Sequence, residues 1–269
     1  MSTGDSMTRK GANYDFIMVQ RDGRLTIITL NRPTVHNALH AAAHAELEQA
    51  FEDFEQDEAQ WVAIITGSGD KAFCAGNDLR QQAAGQALTS PPTGFAGLTS
   101  RFTLTKPVIA AVNGAAIGGG FELALACDLI IAHERATFAL PEAKVGLAAL
   151  GGGLQRLPRE IGLKRTMGLV LTGRRVSARE GVDWGFVNEA TAEDVMVAAR
   201  RWAMQLLTCG PLSLRATKET ILKGFEEPLE LTQRAQWNYP TVRAMLNSQD
   251  AIEGPRAFVE KRPAIWTGT

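Results

Sequence analysis

Three short stretches of this chain share one property. TIIT, AIIT and VIAA are almost wholly apolar or β-branched and show no alternation of apolar with polar residues. β-branched residues favour pleated, packed surfaces. A strand with one wet face alternates, so unbroken apolar runs predict a sheet covered on both faces. RLTIITLNRP (24–33), WVAIITGSG (61–69) and KPVIAAVNG (106–114) therefore read as strands, the first stopped by Pro33 and the second by a Gly-Ser-Gly turn. DLIIA (128–132) and ATFALP (136–141) read as two shorter ones. HNALHAAAHAELEQAFEDFEQD (36–57) places Leu39, Ala43, Leu47, Ala50 and Phe54 at helical spacing. KAFCAGNDLRQQAAG (71–85) reads as a short strand, a turn and a helix, and the prolines and glycines of 86–97 mark a loop. A helix is predicted over 120–127. Strand, strand, helix recurs without an exact repeat. From 159 onward the spacing predicts helices over 159–172, 177–184, 192–208, 211–224, 228–247 and 250–260. Strands first and helices last predict an α/β core followed by a helical C-terminal region. Residues 1–13 read as a disordered tail, 14–200 as the core and 201–269 as the helical region.

The 269 residues carry a net charge of −1, with lysines and arginines spread along the chain. That balance argues against a nucleic-acid partner. No run of about 18 apolar residues exists, so no membrane span is expected. Cys74, Cys127 and Cys209 form no CxxC pair and are odd in number, the pattern of a reduced, cytoplasmic protein. The polar N-terminus lacks the apolar segment of a signal peptide.

The chemistry concentrates in two glycine turns and two glutamates. In AFCAGNDL (72–79) the chain turns through Gly76. That is either a plain turn or a site where backbone N–H groups face a cleft. Gly118, Gly119 and Gly120 lead into an apolar helix and allow the same two readings, with the first helical N–H groups free for negative charge. Neither a P-loop nor a dinucleotide fingerprint fits this spacing. Glu122 lies among Phe121, Leu123 and Ala124, where an ionised carboxylate is costly. Glu142 follows 20 positions later. A helix of about eight residues rises roughly 12 Å. A strand, a turn at 133–135 and a second strand can return the chain to the same end. Two converging glutamates beside free N–H donors would form an acid/base pair facing an oxyanion site, while a solvated Glu142 at a helix start is the plainer alternative. His36, His40 and His44 recur every four residues, a spacing that would line one helix face. HExxH is absent and no carboxylate or cysteine set completes a metal site, so none is expected. No GxSxG serine is present.

Together, LTIITLNRPTVHNAL, AIITGSGDKAFCAGNDL, KPVIAAVNGAAIGGGFELALACD, ATFALPEAKVGL, LTGRRVSAREGVDWGFVNE and AFVEKR resemble the enoyl-CoA hydratase/isomerase (crotonase) superfamily over nearly the whole chain. GFAGLT, FALPEAK and DAIEGPRAFVEKRPAIWTG resemble most its carnitinyl-CoA (crotonobetainyl-CoA) dehydratase branch. The resemblance implies a ββα spiral with a helical C-terminal trimerisation region, assembled as a trimer or dimer of trimers. It implies an acyl-CoA thioester substrate and no separate cofactor, coenzyme A being part of the substrate. The thioester oxygen would lie between the backbone N–H groups of Asn77 and Gly119. Glu122 would hold and deprotonate water, and Glu142 would exchange the proton at Cα. Val35, His36 and Ala38 would approach the adenine and pantetheine. Ala75, Asp78, Leu79 and Leu150 would border the substrate, with Phe258 and Lys261 reaching it from a neighbouring subunit.

Two positions depart from the family pattern. Asn77 stands where hydratases carry a small residue, and Ala149 and Leu150 replace a Pro-Gly pair. Both bear on the acyl group accepted. The expected activity is addition or removal of water across the Cα–Cβ bond. A double-bond isomerase is the alternative within the superfamily, and a non-catalytic CoA- or RNA-binding relative the alternative of another class.

Overall fold

The unalternating runs form the middle of one sheet. The computed structural model describes residues 14–83 and 90–269. Its strands are β1 (Ile17–Asp22), β2 (Leu25–Leu30), β3 (Val62–Gly67), β4 (Ala72–Cys74), β5 (Val108–Val112), β6 (Ala115–Ile117), β7 (Leu129–His133), β8 (Thr137–Ala139), β9 (Val176–Ser177) and β10 (Glu189–Thr191). A six-stranded sheet has the order β1-β2-β3-β5-β7-β10, antiparallel only between β1 and β2. A four-stranded sheet has the order β4-β6-β8-β9. The helices are α1 (Ala41–Gln56), α2 (Leu79–Ala83), α3 (Gly119–Ala126), α4 (Gly153–Ile161), α5 (Leu163–Thr172), α6 (Ala178–Trp184), α7 (Val195–Leu207), α8 (Pro211–Gly224), α9 (Leu229–Ala235), α10 (Pro240–Leu246) and α11 (Asp250–Glu260).

β3 shows why the central strands do not alternate. Ala63 and Ile65 point into a core that includes Phe51, Phe73, Phe121 and Phe138. Val62 and Ile64 point into a second core with Ile27, Ile109, Ile131, Ala198 and Ala199. α7 covers that second face, packing on β3, β5 and β7. Each fully buried Ile, Leu or Phe contributes roughly 1.5–3 kcal/mol of transfer free energy.

Several elements differ from expectation for local reasons. Beyond the buried Ile17, β1 alternates exposed with half-buried residues at the sheet edge, so it lacks the apolar signature of its neighbours. α1 begins at Ala41 rather than 36, because His36 and Asn37 both adopt positive φ (55° and 56°). His40 then caps the helix, its Nδ1 accepting the Ala43 N–H at 3.1 Å. The helix expected over 159–172 becomes α4 and α5, divided at Gly162 (φ 80°), and α4 already starts at Gly153. The one expected over 228–247 is interrupted before Pro240, which has no N–H to continue it. The boundary expected between 200 and 201 falls inside α7. The tail expected over 1–13 and part of the loop expected over 86–97 lie outside the described residues.

Candidate active site

After β4 the chain turns through Gly76 at φ 88°, a conformation that glycine adopts without steric cost. The segment before α1 is laced to this turn by three main-chain hydrogen bonds. Ala75 N–H donates to His36 O (3.0 Å), Leu39 N–H to Gly76 O (2.8 Å) and Asp78 N–H to Leu39 O (2.8 Å). The buried Asn37 amide anchors that segment from behind. It donates to Ser68 O (3.0 Å) and Ala72 O (2.9 Å), and its Oδ1 accepts the Arg32 N–H (3.0 Å). The second turn lies at Gly118 (φ 58°), whose N–H donates to Ala139 O (2.9 Å) before α3 begins. The two turns touch. A Cβ built on Gly76 would stand 2.9 Å from Ile117 O and 3.2 Å from Gly119 N. Among the described residues, the N–H groups of Asn77 and Gly119 have no acceptor. Unpaired backbone donors at a helix start form a site for developing negative charge.

Both glutamates border these turns. Glu122 lies in the first turn of α3 and is only 4% exposed. Gly153 N–H donates to its Oε1 at 2.9 Å, and a Cβ on Gly151 would fall 2.6 Å from Oε2. Burial pushes this carboxyl up to about 7. The Gly153 N–H opposes that rise, the neighbouring Glu142 carboxylate adds to it, and Arg156 pulls the other way. Glu142 opens a 3₁₀ turn, Glu142–Val145, directly after β8. Its Oε1 lies 2.9 Å from the Cβ position of Gly118, and its Oε2 is buried with no hydrogen-bond partner. Burial raises this carboxyl as well. The path from one glutamate to the other runs along α3, back through β7 and out along β8. One buried and one half-buried carboxyl with raised affinity for protons, beside two free N–H donors, can exchange protons with a group polarised in the turn.

The enoyl-CoA hydratase/isomerase family model matches residues 20–269. The chain belongs to this family. It is 46% identical to the carnitinyl-CoA dehydratase of Salmonella typhi over 256 residues, covering 92% of this chain and 97% of that one. The carnitinyl-CoA dehydratase of Escherichia coli (strain SMS-3-5 / SECEC) matches with the same identity and coverage. Among solved structures, the enoyl-CoA hydratase of Mycobacterium tuberculosis H37Rv superposes with a TM-score of 0.89 at 39% identity, covering 94% of this chain and 99% of that one. The Mycobacterium marinum enoyl-CoA hydratase gives 0.88 at 40%, with the same coverage. This member of the enoyl-CoA hydratase/isomerase family therefore has the crotonase fold.

The remaining positions expected at the site of this family member fall into three groups. Val35, Ala38, Ala75 and Asp78 are half-buried or buried around the first turn, and His36 is exposed beside them. Asp78 pairs with Arg32 at 3.2 Å. Leu79 and Leu150 are exposed, Leu150 to 78%, in a loop whose neighbouring Ala149 is buried. Phe258 and Lys261 are exposed on α11 and at its C-terminal end, and α11 packs against α10. Their expected role lies across a subunit boundary.

The three histidines do not share one helix face, because α1 begins after His40. His44 alone lies within the helix, and it is buried. Among the described residues no group of three or more His, Cys, Asp or Glu has the arrangement of a metal site. The sequence reasoning missed the cradle of Glu122, Gly151–Gly153, although a second Gly-Gly-Gly before a helix was the available signal. It also missed Arg156, whose Nη2 donates to Thr99 O (2.8 Å) while its charge acts on Glu122.

Proposed function

We propose that this chain is an enoyl-CoA hydratase/3-hydroxyacyl-CoA dehydratase, a hydro-lyase acting on an acyl-CoA thioester. The observation that carries the reading is the convergence of Glu122 and Glu142 on two free N–H groups. The thioester oxygen accepts hydrogen bonds from Asn77 N–H and Gly119 N–H. Ionised Glu122 takes a proton from water as the oxygen attacks Cβ. The electron pair of the double bond moves toward the thioester, and charge gathers on its oxygen, where the fixed donors stabilise it. Protonated Glu142 delivers its proton to Cα, leaving the pair with its protons exchanged. Dehydration is the same sequence reversed. One carboxyl must be charged and the other neutral, and the raised affinity of both for protons allows that division near neutral pH.

The likeness to carnitinyl-CoA dehydratases supports a short acyl group bearing a quaternary ammonium as one candidate substrate. Asn77, in place of a small residue beside the oxyanion turn, bears on the acyl group accepted. The exposed apolar side chains of the C-terminal helices, Leu229, Trp237, Phe258 and Val259 among them, support assembly as a homotrimer or dimer of trimers.

A panel of enoyl-CoA thioesters tests the reading. Crotonyl-CoA, crotonobetainyl-CoA and longer 2-enoyl-CoAs are followed by loss of the conjugated thioester absorbance. Turnover of at least one is expected. Migration of the double bond in a 3-enoyl-CoA with no hydration of any 2-enoyl-CoA would overturn the hydratase reading in favour of an isomerase.

A further inference from the structure

We propose that His44 is the positioning residue that holds the two oxyanion-donor turns at a fixed separation. The inference rests on the proposed roles of Asn77 and Gly119. His44 lies on α1, is 2% exposed, and bridges two segments far apart in the chain. Its Nδ1 accepts the Ala96 N–H at 3.0 Å. A nitrogen that accepts carries no proton, so the ring proton is on Nε2. Nε2 lies 3.4 Å from Asn77 Oδ1, a long contact in which the imidazole donates. Burial holds the imidazole below its ordinary pKa, which favours this neutral form. An imidazolium would set a second N–H against that of Ala96.

Each partner of His44 belongs to a different wall of the site. Asn77 carries one free N–H. Ala96, at φ 56°, follows Phe95, whose ring meets the His44 ring edge-on at 4.7 Å between centroids. The same Phe95 ring lies against Gly119, and a Cβ there would come within 2.6 Å of it. The chain of contacts thus runs from Asn77 through His44 and Phe95 to Gly119, which carries the second free N–H. An apolar side chain of similar volume would fill the space. It would satisfy neither the Ala96 N–H nor the Asn77 amide.

The test compares wild type with His44→Phe, His44→Asn, His44→Gln, Asn77→Ala and the double variant His44→Phe/Asn77→Ala. Hydration of crotonyl-CoA and crotonobetainyl-CoA gives kcat and KM. The enolate absorbance of bound acetoacetyl-CoA reports oxyanion stabilisation without turnover. His44→Phe keeps the ring but loses both hydrogen bonds. It is expected to lower kcat roughly tenfold to a hundredfold, with KM changed less than about threefold, and to weaken the enolate signal in parallel. Its effect should not multiply independently with that of Asn77→Ala. His44→Gln, whose amide N–H reaches toward Asn77, should recover part of the loss. If His44→Phe does not fold, His44→Asn carries the test, since it keeps an acceptor for Ala96 but is too short for Asn77. The same fall in kcat is expected. A folded His44→Phe or His44→Asn protein with wild-type kcat and enolate signal overturns the proposal, as does full multiplicativity. If wild type hydrates nothing yet polarises acetoacetyl-CoA, the hydratase reading fails and the enolate signal still decides His44. If wild type polarises no thioester, both fall.

Discussion

Glu122 sits where a carboxylate is least at ease. Apolar neighbours and near-total burial raise its pKa from 4.5 to about 7, and the Gly153 N–H offsets only part of that cost. A folded pKa above the unfolded one means that the native state holds this proton more tightly. Its contribution to stability is therefore fully present below about 4.5 and is lost as pH rises through about 7. The full shift corresponds to ~3 kcal/mol at most. Chemical denaturation at a series of pH values should show this fall in wild type and a shallower one in Glu122→Gln. Equal slopes in the two proteins would mean that Glu122 is not strained as described. The residue scale also shows what a lone sequence conceals. Glu122 was legible because an acid stands out in an apolar helix. Its cradle was not, because Gly151–Gly153 approach it only after β7, β8 and the Glu142 turn have folded back. His44 read as one member of a regular histidine series, and only the backbone at Asn37 and the close approach of Asn77 and Ala96 separate it from His36 and His40.

At the scale of elements, the site is made by two turns pressed together. Gly76 is one close point of that contact. An alanine there would take a disfavoured positive φ and drive its Cβ into Ile117 O at 2.9 Å and Gly119 N at 3.2 Å. Gly76→Ala is expected to cost about 1–3 kcal/mol in stability, from backbone strain alone. It should lower kcat more than it raises KM, because it spreads the two N–H donors. A Gly76→Ala protein with unaltered kcat would show that the spacing of the turns is not critical. Most of the strands and helices were legible, because unalternating apolar runs and helical spacing are local signals. The failures have local causes too. β1 is an edge strand whose alternation dilutes its apolar content, and the interruptions at Gly162 and Pro240 divide otherwise continuous helical patterns. The pairing of β4 with β6 and the order of the strands depend on long-range contacts, which no local pattern contains.

At the scale of the molecule, the sheet is covered on both faces, yet the C-terminal helices leave Phe225, Leu229, Leu231, Trp237 and Phe258 exposed in the single chain. Apolar area of this kind in a protein of ordinary charge calls for a covering partner, and the proposed homotrimer or dimer of trimers would supply it. Sedimentation or light scattering should give three or six times the chain mass. A monomer at micromolar concentration would contradict that expectation, and would also remove the proposed part of Phe258 and Lys261 in binding coenzyme A. The assembled protein is the proper object for the central test, because its claim joins both glutamates to one reaction. Wild type, Glu122→Gln and Glu142→Gln are compared for loss of conjugated thioester absorbance on whichever enoyl-CoA the wild type accepts. Each variant is expected to fold and to lose about 10²–10⁴ in kcat. Full rates in both variants would contradict the two-glutamate account.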